Sequence, residues 1–84
     1  MILSPRTEKF LDSIHKHNRR SFKYLMQALD KIAENPYTAK PLLGSLKGYY
    51  SYRVGNHRII FEINKKKSEI YVEKIAHRSV VYKR

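Results

Sequence analysis

The chain has 84 residues, 42% of them hydrophobic, enough for one small domain (1–84) with one modest core and too few for a second. Eighteen Lys and Arg stand against seven Asp and Glu, a formal net charge of +11; solubility asks only for a magnitude of about 2 to 8, so the excess points to a polyanionic partner, a nucleic acid first. Cysteine is absent, which excludes disulfides, thiolate metal sites and cysteine nucleophiles, and no apolar run approaches the roughly 18 residues of a membrane span.

The opening Met1-Ile2-Leu3-Ser4-Pro5-Arg6 is too short and too soon charged for a signal peptide, so the sequence predicts a cytoplasmic protein with no membrane partner. Ser4 before Pro5 is a helix-start signal, because a serine oxygen caps orphan amides and proline suits the first helical position. A helix from about Pro5 to His17 follows, with Phe10, Leu11 and Ile14 at helical spacing. Asn18 then caps a second helix to about Glu34, whose apolar face is read as Phe22, Leu25, Met26, Leu29, Ile32 and Ala33. Neither helix hides its stripe fully against the other, so the pair predicts an antiparallel hairpin that needs a sheet to cover.

Asn35-Pro36 ends the second helix, and the stretch to Gly48, with Pro41, Gly44 and Gly48, reads as a connecting loop. Beyond it, Tyr49–Val54, Arg58–Asn64 and Glu69–Ala76 are rich in β-branched and aromatic residues, separated by Gly55-Asn56 and by a lysine-rich run from Asn64 to Ser68. The pattern predicts an antiparallel meander and an α+β fold, a two-helix hairpin packed on a small antiparallel sheet. His57, Ile59, Phe61 and Ile63 alternate toward the core with Tyr50, Tyr52 and Val54, which sends Arg53 and Arg58 to the opposite, uncovered face. The faces of the third strand stay unassigned, because Lys74 and Ile75 interrupt its alternation.

With Ser4-Pro5 before the first helix, Leu43-x-x-Leu46-Lys47-Gly48, Tyr52-Arg53-Val54-Gly55-Asn56-His57-Arg58 and a closing His77-Arg78-x-x-Val81-Tyr82, nearly the whole chain resembles the RelE/ParE toxin superfamily. It is most similar to the RelE branch of messenger-RNA interferases. The resemblance implies a ribosome-dependent endoribonuclease, the toxin of a type II toxin-antitoxin system. Its partners would be the ribosome, messenger RNA and an acidic RelB-like antitoxin, and it needs no metal or other cofactor. The reaction implied is attack of a ribose 2′-hydroxyl on the adjacent phosphate. It demands removal of the 2′ proton, stabilisation of phosphorane-like charge and protonation of the leaving oxygen.

Matched position by position, the catalytic candidates are Arg58, Arg78 and Tyr82, with Arg53, Lys47 and His77 as phosphate- or RNA-binding residues. Arg58 suits bidentate phosphate contact, Arg78 transition-state charge or leaving-group protonation, and Tyr82 a base or stacking role. An unperturbed tyrosine ionises near pH 10, so the base role requires neighbouring cations to lower that value. Ser51 stands where some relatives have a lysine, which leaves Lys47 or His77 to compensate, and some relatives carry a helix after the terminal motif where this chain stops.

Each residue also has an ordinary reading. Tyr82 packs as a strand end beside Val80 and Val81, Arg53 and Arg58 pair across strands with Glu62 or Glu73, and Arg78 forms a surface salt bridge. His57 reads as structural, His15 and His17 lack a companion ligand set, and Lys65-Lys66-Lys67 reads as a solvated hairpin tip. Two other functions fit the charge: a gyrase poison of the ParE type without nuclease chemistry, and a noncatalytic basic RNA-binding module. The terminal motif weighs against the first, since its residue types are those that cleavage needs, and the second accounts for the charge but not for the arrangement of the residues.

Overall fold

Ser4 holds the first helix in two directions. In the computed structural model, which describes residues 1–77, its hydroxyl accepts from the Thr7 amide at 3.2 Å as the N-cap of α1 (Pro5–His17) and donates to the Glu73 carbonyl at 2.6 Å. Asn18 alone links the helices: its N–H donates to Ile14 O and its side chain accepts from the Ser21 amide at 3.1 Å, capping α2 (Arg19–Glu34). Both helices span their expected residues. The buried face of α2 is Leu25, Ala28, Leu29 and Ile32, a strict i, i+3, i+4, i+7 set, whereas Met26 and Ala33 turn to solvent and Ala28 takes their place.

Strands β3 (Tyr49–Val54), β4 (His57–Asn64) and β5 (Glu69–His77) form the expected antiparallel meander, each within a residue of its predicted bounds. Two short edge strands extend it. β1 (Ile2–Leu3) runs parallel to β5, and β2 (Lys40–Pro41), inside the stretch read as loop, pairs antiparallel with β3. The sheet order is therefore β1-β5-β4-β3-β2 and the sheet is mixed, correcting the purely antiparallel expectation at one edge. Two residues are too few to carry the alternation from which a strand is read.

The broken pattern in β5 is a β-bulge. Ile59 pairs with Ile75 and Phe61 with Val72, so Glu73 and Lys74 together oppose the single residue Ile60. This extra residue keeps Val72 and Ile75 both on the core side, where β4 supplies Ile59 and Phe61. The backbone groups it disturbs are engaged by α1: Ser4 N–H and Thr7 Oγ1 donate to Val72 O, and Ser4 Oγ and Arg6 Nε donate to Glu73 O. Arg6 also pairs with the Glu73 carboxylate at 2.6 Å.

The core lies between the helices and one face of the sheet, with Phe61, Leu25, Ile32, Ile59, Val72 and Thr7 fully enclosed. Each enclosed large apolar side chain contributes roughly 1.5 to 3 kcal/mol by leaving water. Among the described residues the opposite sheet face carries no helix, and no helix is long and apolar enough to cross a membrane.

Candidate functional site

The site begins at the β3–β4 turn. Gly55 adopts φ +58° while Asn56 does not take a positive φ, the sign pattern of a type II′ hairpin turn with glycine at its first central position. That two-residue turn fixes the register, so Val54 faces His57 and Arg53 faces Arg58. Arg53 and Arg58 thus share the helix-free face on strands about 4.8 Å apart, Arg53 exposed and Arg58 half-buried. Directly opposed like charges destabilise a sheet. An anion lying between them reverses the sign of that interaction.

Arg58 is oriented along the face by its neighbour, its Nη1 donating to Ser51 Oγ at 3.4 Å. Ser51 is itself buried and is the diagonal partner of Arg58 across the two strands. A serine where some relatives have lysine therefore serves here as an acceptor for the site arginine. The carboxylates named as ordinary partners lie elsewhere: Glu73 is engaged by Arg6, and Glu62 stands four residues, about 13 Å, along β4 from Arg58.

Beyond the arginines the next row of the face holds Lys40 of β2, Ser51, Ile60 and Lys74 of β5, which are mutual register partners. Sequence reading missed Lys40 and Lys74 as members of the face, the first because β2 is two residues long and the second because the bulge hides its side. Register was the missing information.

His77 lies opposite His57, and both belong to the helix side of the sheet rather than to the arginine side. The His57 ring meets Phe10 edge-on at 5.7 Å and the His77 ring at 6.0 Å. Burial, and secondarily the nearby His77, holds the His57 pKa below its ordinary 6.5, so His57 is a neutral packing residue. Lys47, exposed, precedes β3 and sits at the end of the sheet away from Arg53. Arg78 and Tyr82 lie outside the described residues; β5 ends at His77, opposite the residue before Arg58.

A cleft of about 540 Å³ opens between α2 and the β3–β4 turn, lined by Tyr24, Ala28, Lys31, Tyr52, Arg53 and Asn56 among others. Apolar residues and Lys31 line it on the α2 side, and the turn residues on either side of Gly55 border it on the other. Among the described residues no three His, Asp or Glu side chains are grouped to hold a metal ion.

Comparison with known proteins gives the same architecture a family. Residues 1–82 match the model of the ParE toxin of the type II toxin-antitoxin system parDE. No curated protein matches the sequence. Among solved structures, the chain is similar to the toxin-antitoxin complex RelBE2 from Mycobacterium tuberculosis, with 23% identity, a TM-score of 0.76 and coverage of 92% of this chain and 87% of that one. It is also similar to the YoeB-YefM complex from Staphylococcus aureus, with 21% identity, a TM-score of 0.77 and coverage of 90% and 92%. The YoeB/ParE toxin from Agrobacterium tumefaciens superposes with a TM-score of 0.80 at 15% identity, covering 90% of this chain and 94% of its own. At these identities the structural likenesses establish the fold.

Proposed function

The chain belongs to the ParE toxin family of type II toxin-antitoxin systems, and from that premise we propose that it is a ribosome-dependent endoribonuclease of messenger RNA, inhibited by an acidic antitoxin. The observation that carries this reading is the opposed pair Arg53 and Arg58 on a helix-free sheet face. Cleavage proceeds by attack of a ribose 2′ oxygen on the neighbouring phosphorus as its proton is removed. The bond to the 5′ oxygen breaks, that oxygen gains a proton, and a cyclic phosphate and a free 5′-hydroxyl result. Arg58, steadied by Ser51, and Arg53 stabilise the negative charge that accumulates on the phosphorane oxygens. Arg78 and Tyr82 take the leaving-group and base roles that their motif implies, Lys47 contacts the RNA backbone beyond the reacting phosphate, and His77, at the end of β5, contacts RNA at the edge of the site. The proposed antitoxin supplies carboxylates to the same face and folds on binding, as charge complementarity with a +11 protein favours.

A second reading, a gyrase poison of the ParE type, accords with the ParE name of the matched family. One experiment separates the two. Messenger-RNA ends are mapped in a translating extract with wild-type protein, Arg58→Ala and Arg78→Ala, with and without ribosomes, beside a gyrase supercoiling assay. Cuts that need ribosomes and both arginines support the nuclease; gyrase inhibition without cuts assigns the protein to the poison class.

A further inference from the structure

The register that opposes the two arginines also builds a third row on the same face, beyond that of Ser51 and Ile60. Tyr49 of β3 pairs with Glu62 of β4, and Glu62 with Tyr71 of β5. Alternation places all three on the helix-free side, since their strand neighbours Tyr50, Ile63, Ile70 and Val72 belong to the core. The row lies four residues along β3 from Arg53, about 13 Å, and its two tyrosines are two strands, about 10 Å, apart. Among the described residues, neither tyrosine ring nor the Glu62 carboxylate takes part in a side-chain hydrogen bond, ion pair or ring contact. The core-side Tyr50, by contrast, stacks on Phe61 and meets Tyr37 edge-on. Two half-buried aromatic rings outside any ring contact among the described residues therefore flank an exposed carboxylate on the sheet that carries the arginines.

A carboxylate on a phosphate-binding face weakens backbone binding, so its position calls for a partner that donates. Nucleobases provide one. An aromatic face stacks any base, which is how open sheets hold single-stranded RNA, and a glutamate accepts from an exocyclic amine. We propose that Tyr49, Glu62 and Tyr71 form a base-reading row. The tyrosines stack bases of the single strand whose phosphate rests at Arg53 and Arg58, and Glu62 accepts a hydrogen bond from the amino group of one of them. The row thereby favours adenine, cytosine or guanine over uracil at that position. This rests on the RNA-cleaving reading above and adds to it the residues that choose the sequence.

The test uses the full chain and short 2′-O-methyl RNA oligomers, which bind without being cleaved, followed by fluorescence anisotropy. Tyr49→Ala and Tyr71→Ala each weaken binding roughly five- to hundredfold, while Tyr49→Phe and Tyr71→Phe keep it. Glu62→Ala erases the preference for amino-bearing over uridine-only oligomers. A wild-type measurement guards against misfolded variants: base protons of the bound oligomer shift upfield in NMR spectra as they enter the tyrosine ring currents. Wild-type binding without upfield shifts, or a base preference that survives Glu62→Ala, overturns the base-reading row and leaves the nuclease reading standing. Absence of any RNA binding by wild type also overturns the row, while the nuclease reading is decided separately by the ribosome-dependent mapping of messenger-RNA ends.

Discussion

At the scale of single residues, Arg53 and Arg58 show why position outweighs residue type. Two guanidinium groups in register do not by themselves stabilise a sheet, and on the RNA-cleaving reading a phosphate between them would be held by both. On the RNA-cleaving reading, Arg58→Ala should lower cleavage about 10²- to 10³-fold, the loss expected when one donor to a developing oxyanion is removed. Arg53→Ala should weaken activity while leaving the melting temperature unchanged or slightly raised, because a repulsion is relieved at an exposed position; paired activity and melting measurements check both variants. His57 behaves in the opposite way. Its folded pKa lies below the unfolded 6.5, so the unfolded chain binds more protons between those two values. Its contribution to stability is complete above about pH 6.5 and is lost as pH falls toward the folded pKa. His57→Phe, which keeps a ring against Phe10, should flatten the fall in melting temperature just below pH 6.5. Alternation alone had put Arg53 and Arg58 on one face and His57 on the other. The side taken by His77 could not be read, because it follows a bulge that shifts the phase of β5.

At the scale of elements, that bulge decides what was legible. Helices α1 and α2 were readable to the residue because their limits are set by local chemistry, Ser4-Pro5 at one end, Asn18 between them and Asn35-Pro36 at the other. The long strands were readable for the same kind of reason, a glycine turn and a polar tip bounding β-branched runs. β1 and β2 were not, since a two-residue strand exists only through its partner, and the pairings of Ile2 with Tyr71 and Lys40 with Ser51 are contacts between distant parts of the chain. Ser4 connects the two kinds of information: a helix cap visible in sequence, it is also a donor to the carbonyl of the bulged Glu73, which is not. Ser4→Ala removes both bonds at a buried site and should destabilise the protein by about 1 to 2 kcal/mol, at the upper end for an N-cap. For a chain of this size each kcal/mol lowers the melting temperature by roughly 4 to 8 °C. Ser4→Thr, which retains the hydroxyl, should recover most of the loss; thermal melting of the two variants checks the claim.

At the scale of the whole molecule, charge is arranged against stability. The first turn of α2 holds Arg19 and Arg20 and no acidic residue, although the positive end of a helix dipole favours carboxylates there. Arg53 opposite Arg58 repeats the pattern in the sheet. Cations thus stand together in both a helix and the sheet, and the sum over the chain is a +11 field that draws polyanions over about 8 to 10 Å at ordinary salt. On the RNA-cleaving reading this field sets the rate of capture, while the sheet face sets the chemistry. Arg19→Glu with Arg20→Glu removes four units of charge far along the chain from Arg53 and Arg58. It should raise stability by roughly 0.5 to 2 kcal/mol through the helix dipole. The same change should slow association with RNA severalfold at low salt, an effect that shrinks as salt is raised, and leave the cleavage rate at saturating RNA unaltered. Stopped-flow association at two salt concentrations, set beside single-turnover cleavage and a melting curve, reads all three quantities. A fall in the saturated cleavage rate would mean that these arginines touch the reacting RNA and that steering is not their role.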